Sequence, residues 1–355
     1  MESLILYISL FLLSGFSIYI ECNQKKKIYI FIGLLIPILL SSFRFEVGTD
    51  YYSYIEYFYY PAFNKNIFDF KTKEYGFFLI SKLSTYLNDS RYMFFISSLV
   101  TVFFTYFSIK NYSNKKAWLG FILYLFLLFP QSFNIVRQSI AISIVWFSYK
   151  YIYQRNLKKY TFFIFLASLF HKSAFFMEIL YFLYPIIYAK KYRILKKMII
   201  CIGVFLCFLF AIQGEKIIRL VSEFSFFNSY SIYVTDHIGV GKNKEFYLKC
   251  IFSLIFFIFR KKLISRNKKN EFLIFTNFIN LIVISIGFFN VFLKRVGMYL
   301  ELSWILLFIE ISKLFIGKFN KIIINIIIIL YSIFFFILMF YFLEFANIFP
   351  YKLCI

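Results

Sequence analysis

Four side chains that interrupt or border apolar runs define the chemistry open to this sequence: Arg44, Arg137, Arg295 and His171. A guanidinium is planar, charged and forked, so it suits two-point binding of phosphate oxygens. At membrane depth an arginine is costly unless paired or hydrated, and arginines gathered around one cavity therefore imply an anionic ligand. Taken singly, each could instead snorkel to the interface or pair with an internal acid. Histidine exchanges protons near neutrality. That makes His171, one of 2 histidines in the chain, a candidate general base. A hydrogen-bonded histidine at a helix end is the plainer alternative.

Carboxylates cluster after Arg44. The stretch 44–54, Arg-Phe-Glu-Val-Gly-Thr-Asp-Tyr-Tyr-Ser-Tyr, sets Glu46, Asp50 and three tyrosines around Gly48, with Glu56 and Glu74 following. Asp50 could deprotonate a hydroxyl, orient an arginine, or hold a divalent cation against phosphate oxygens. Its simplest partner is Arg44, and a solvated loop with a glycine turn is the plain reading of the whole stretch. There is no DxD and no His/Cys set at ligand spacing, so no metal or other cofactor is expected. Nor is there a P-loop, a GxGxxG or a GxSxG elbow, which leaves nucleotide-driven and serine-hydrolase chemistry without support.

The elements that must position these groups are membrane spans. With 61% of residues hydrophobic and only 16% charged, a soluble single domain is excluded, because so few charges cannot cover a wetted surface. Apolar runs of roughly 17 to 25 residues recur, as helices crossing a ~30 Å hydrocarbon layer require. The expected fold is all-α: a polytopic integral membrane protein, one transmembrane domain over 1–355, with about 12 crossings (roughly 10–13) and re-entrant or interfacial helices on the outer side.

The formal charge of +23 is concentrated in short connectors: segments 25–27, 110–116, 150–159, 190–197, 260–269 and 313–321 hold 24 of the 40 lysines and arginines, with almost no acids. This is the positive-inside pattern of cytoplasmic loops, and it points to a lipid bilayer as partner and away from nucleic acid. Segments 44–91 and 213–245 balance acid and base and are the expected outer face. The 5 cysteines form no framework and read as small core hydrophobes. Met1-Glu2-Ser3 lacks a basic n-region, so the run 4–20 reads as a retained span.

Taken in order, 4–20 and 28–43 form a hairpin around 25–27, which puts the Arg44 stretch outside. An interfacial helix at 51–60 should end at Pro61, and 76–87 should be re-entrant or lie on the outer surface. Spans at 92–108 and 118–133 follow, and a polar break at 129–134 delivers Arg137-Gln138 to the start of the next helix. Between basic loops at 158–159 and 190–191 the chain must go out and return, interrupted by His171-Lys172-Ser173. The first arm rises only roughly 17 Å, so His171 should turn inside a protein-lined cavity. Further spans are expected at 197–212, 246–259, 272–292 (reaching Lys294-Arg295) and 322–343, with both termini outside.

At these residues the sequence resembles the EpsG-type family of exopolysaccharide biosynthesis proteins, grouped with Wzy-like O-antigen and capsule polymerases. The resemblance rests on Arg44-x-x-x-Gly48-Thr49-Asp50-Tyr51-x-x-Tyr54, Glu74-Tyr75-Gly76-Phe77, Arg137-Gln138, His171-Lys172-Ser173 and Pro350-Tyr351, in matching order over nearly the whole chain. It implies a multi-pass protein of the bacterial cytoplasmic (inner) membrane. Such a protein polymerises undecaprenyl-diphosphate-linked oligosaccharide repeat units at the outer face, beside other polysaccharide-assembly membrane proteins. On that basis Arg44, Arg137 and Arg295 are expected to bind the diphosphate, and His171 or Asp50 to take a proton from the attacking sugar hydroxyl. Thr49, Tyr51, Tyr54, Glu74, Gln138, Ser173 and Tyr299 are expected to bind sugar or support the site. A flippase for a lipid-linked saccharide would use the same arginines without making a bond, and a membrane O-acyltransferase with His171 as base is the third alternative.

Overall fold

The computed structural model describes residues 1–63, 74–189, 192, 194–196, 198, 201–203, 205, 244–286 and 291–353. The expected outer segment 213–245 and the expected span 197–212 therefore lie almost wholly outside the described residues. Among the described residues, regular structure is helical apart from one isolated bridge between Arg44 and Leu353. The chain forms two compact units, one of residues 1–175 with 315–355, the other of residues 176–314.

The first unit is built from antiparallel helices. Helix α1 (Glu2–Gln24) stops where Lys25 turns left-handed at φ 56° and returns its N–H to the Glu21 carbonyl. Helix α2 (Ile28–Ser42) runs back beside it. Short helices α3 (Tyr51–Phe63) and α4 (Tyr75–Tyr86) pack together. At 13 and 12 residues and ~1.5 Å per residue they are too short to span a bilayer. Pro61 was expected to end α3, but the helix continues to Phe63, because a proline near the last turn removes one donor without forbidding the residues after it.

Next come α5 (Arg91–Tyr112), α6 (Ala117–Leu127), α7 (Val136–Tyr153) and α8 (Leu157–Ser168), the last capped by the Asn156 side chain accepting from the Lys159 N–H. Helix α5 packs on α2 and α7, and α7 on α8. The unit closes with α9 (Lys318–Phe336), which runs into a π-helical turn (Ile337–Phe342) and packs on α6.

Three of these helices, α1, α5 and α9 with its π turn, are long and apolar enough to cross a membrane. Their outward faces present Leu13, Phe16, Phe103, Leu330 and Phe334. An exposed apolar surface of that kind needs lipid, and the chain is a membrane protein.

The two ends of this unit differ. At one, Lys110 pairs with Glu21 at 2.8 Å, Tyr106 donates to the same carboxylate, and Lys116 reaches Asn325. These are the basic connectors. At the other end lie the Arg44 loop, the start of α7 and the end of α8.

A C-terminal strap crosses that second end. Phe45 N–H donates to the Lys352 carbonyl, Gly48 N–H to Asn347 and the Asn134 amide to Ala346. The Tyr7 hydroxyl donates to Ile348 and the Tyr351 hydroxyl to Leu40. Gly48 has φ +98°, and a Cβ there would sit 2.5 Å from Asn134 Oδ1. Gly48→Ala is therefore expected to cost on the order of 2 kcal/mol, read as a lower unfolding temperature in detergent.

Glu46 anchors the strap from the rim, accepting from Lys352 at 2.7 Å and from the Tyr52 hydroxyl. The Lys352 contact, followed by that of Tyr52, holds its carboxyl below the usual range. A depressed folded-state pKa contributes stability at neutral pH that is lost as pH falls toward that pKa. Proteolysis of the strap should accordingly accelerate below about pH 4, and Glu46→Gln should remove that step.

The second unit holds α10 (Ile179–Tyr188), α11 (Lys244–Ile258), α12 (Arg260–Arg266), α13 (Lys269–Ile286), α14 (Val291–Gly297) and α15 (Leu302–Leu314). Helix α13 is its centre, touching α10, α11, α12, α14 and α15.

Candidate functional site

Three distant segments of the first unit meet at one carboxylate. Glu74 directly precedes α4, and its side chain turns inward without capping the helix. The helix start is docked on the end of α8: Gly76 N–H donates to the Leu169 carbonyl at 2.9 Å, and a Cβ on Gly76 would approach the Phe170 ring to 2.9 Å. That close approach needs glycine, and it brings Glu74 within reach of the residue after Phe170. His171 Nδ1 lies 2.7 Å from Glu74 Oε1, and Arg137, in the first turn of α7, pairs with Glu74 Oε2.

A carboxylate only accepts, so a neutral imidazole in this contact carries its proton on Nδ1 and leaves Nε2 as acceptor. Side-chain exposure grades the group. Glu74 is 6% exposed, whereas Arg137 and His171 are 22% and 21% exposed. The arrangement is a buried carboxylate with a guanidinium and an imidazole on its more exposed side.

Aromatic residues of α3 and α4 surround the arginine. Its guanidinium carbon lies 4.8 Å from the Tyr57 ring centre and 6.0 Å from that of Phe77, and Tyr54 packs on the same Phe77 ring at 5.7 Å. Tyr54 and Tyr57, three residues apart, share one face of α3.

Arg44 lies elsewhere in the same end of the unit. It is 1% exposed, its guanidinium is sandwiched between Phe94 at 4.4 Å and Phe133 at 4.5 Å, and none of its three side-chain nitrogens has a hydrogen-bond partner. The expected pairing with Asp50 is therefore absent. Asp50 accepts from the Thr49 hydroxyl at 3.0 Å on the exposed side of the loop. Sheer burial, opposed by the oxygens of Tyr54, Tyr7, Tyr51 and Tyr351, pulls the Arg44 guanidinium down to about 10, still cationic at neutral pH.

Of the remaining candidates, Tyr51 stacks on Phe94 at 5.5 Å, Thr49 is exposed, and Gln138 and Ser173 are buried. Arg295, half-buried on α14, and buried Tyr299 belong to the second unit. The sequence places Glu74 among the supporting residues, offers Phe77 only as part of a motif and gives Tyr57 no role. The tyrosine repeat on α3 was the available signal for Tyr57, while nothing local marks Glu74 as the junction.

No curated protein and no solved structure matches the chain. The sequence model of the EpsG family matches residues 27–353, nearly the full length and inclusive of every residue in this cluster, and the chain belongs to that family.

Proposed function

We propose that this chain is the polymerase of an exopolysaccharide assembly system, joining oligosaccharide repeat units carried on a polyprenyl diphosphate. Membership of a family associated with exopolysaccharide biosynthesis and the apolar, lipid-facing helices support the general setting. The observation that carries the reaction is the Glu74 carboxylate holding a partly exposed guanidinium and a partly exposed imidazole side by side.

In this reading an acceptor sugar hydroxyl attacks the anomeric carbon of the donor chain. Its proton passes to His171 Nε2, the new glycosidic C–O bond forms, and the bond to the lipid diphosphate breaks. The departing diphosphate takes up the electron pair, and Arg137 at the N-terminus of α7 stabilises it, since a helix start and a guanidinium both favour anions. Asp50 is proposed as a rim carboxylate near the acceptor. Lipid diphosphate is already an activated leaving group, so the reaction draws on no nucleotide. The positive-inside bias supports putting the site in the outer leaflet of the bacterial cytoplasmic membrane, on a domain of about 12 crossings.

The test is reconstitution with purified lipid-linked repeat unit. A ladder of longer products is expected from the wild type, and loss of the ladder from Arg137→Ala and His171→Ala proteins that still reach the membrane. Long polymer from both variants would end the assignment. Movement of the substrate across the bilayer without elongation would make the protein a flippase.

A further inference from the structure

The aromatic enclosure of Arg44 leads beyond the site itself. Phe94 covers one face of the guanidinium, and the same ring stacks on Tyr51 and meets Tyr54 edge-on at 6.5 Å. Phe133, covering the other face, belongs to the 3-10 turn (Phe129–Phe133) that leads into α7 and Arg137. The Arg44 backbone bridges to Leu353 of the strap. With both faces covered and 1% of its surface exposed, the guanidinium offers a diphosphate no approach. It lies instead where α3, the approach to α7 and the strap converge.

We propose that Arg44 is a positioning residue: it clamps α3 and the strap to the turn before α7, so that Tyr54 holds the Arg137 guanidinium with its outer edge turned to the substrate. This rests on the reading of Arg137 as the diphosphate ligand. The required geometry is a flat cation between two rings, which arginine provides and lysine does not. Phe77 is the link: Tyr54 packs on its ring at 5.7 Å, and the Arg137 guanidinium carbon lies 6.0 Å from the centre of the same ring, which sets the tyrosine oxygen near the cation.

Two measurements on full-length protein in nanodiscs test this. Hydrogen–deuterium exchange needs no activity: in Arg44→Met and Arg44→Lys, the Phe45 and Gly48 amides bonded to the strap should exchange at least about tenfold faster than in wild type. Elongation assays supply the second reading. Arg44→Lys should fail as Arg44→Met does, with turnover reduced and the KM for lipid-linked substrate little changed. Tyr54→Phe, one hydroxyl removed from beside the Arg137 cation, should slow turnover about tenfold, the scale of one lost polar interaction with a charged group. The double variant Arg44→Met/Tyr54→Phe should be no slower than Arg44→Met alone.

Rescue by lysine with a raised KM would make Arg44 a direct ligand and overturn the proposal, as would unchanged amide exchange or wild-type turnover in Tyr54→Phe. Should Arg44→Met not fold, Tyr54→Phe still decides it. Failure of the wild type to elongate would instead remove the polymerase reading, leaving the exchange result to stand for the clamp.

Discussion

Glu74→Gln is expected to slow elongation by about 10²- to 10⁴-fold, the range associated with loss of a positioned general base, while the protein accumulates in the membrane at its normal level. Glutamine has nearly the same volume as glutamate, so the packing of α4 against α8 through Gly76 and Phe170 is retained. What changes is the electrostatics. An amide can donate as well as accept, so His171 is no longer compelled to carry its proton on Nδ1, and a fraction of imidazoles would present a donor where the reaction needs an acceptor. Arg137 loses its counter-charge at the same time. Because its side chain is 22% exposed it can recruit water, which is why the fold survives the change.

Glu74→Asp, keeping the charge one methylene short, should fall between Glu74→Gln and wild type. Glu74→Gln combined with His171→Ala should be little worse than His171→Ala alone, since residues that act as one unit do not contribute additively. Turnover of reconstituted protein measures all of these, and a Glu74→Gln enzyme elongating at the normal rate would remove the carboxylate from the chemistry. The same variant also separates a polymerase from a carrier. A flippase needs Glu74 only to balance Arg137, so its transport should not depend on whether His171 can accept a proton.

Local signals marked several of the described elements and none of their junctions. The lysine run 25–27 announces the α1–α2 turn because a polar cluster cannot stay in hydrocarbon and Lys25 can adopt the left-handed cap. The trio His171-Lys172-Ser173 likewise marks the break between α8 and α10. By contrast, the bonds that make the cluster join Glu74 to residues 63 and 97 positions away. No periodicity encodes such pairings. Arg44 is the sharper case. A guanidinium beside a polar loop reads as a solvent-facing ligand, and only the tertiary arrival of Phe94 and Phe133 turns it into a buried cation. The strap was equally hidden, because Pro350-Tyr351 carries no sign that Tyr351 bonds to Leu40, over three hundred residues upstream.

The second unit carries a buried ion pair. Lys249 of α11 interrupts an apolar helix, and its ammonium pairs with Glu301, just before α15, with side chains 3% and 4% exposed. Trp304 lies beside it, its ring centre 5.3 Å from the ammonium. A charge in an apolar helix is a warning visible in the sequence, but its partner lies 52 residues away and is revealed only by packing. Lys249→Met or Glu301→Gln alone is expected to destabilise the protein by about 3–5 kcal/mol, because each leaves one buried charge without its counter-ion. The double variant Lys249→Met/Glu301→Gln should recover most of that loss, since the desolvation of both charges disappears with them. Thermal unfolding in detergent at fixed lipid content measures the three variants. A loss in the double equal to the sum of the two single losses would mean that the two side chains contribute independently and that the pair does not hold α11 to α15. Recovery in the double, with elongation restored alongside stability, would make the pair structural. Recovery of stability with elongation still lost would place a second charge-dependent step in this unit, apart from the Glu74 cluster.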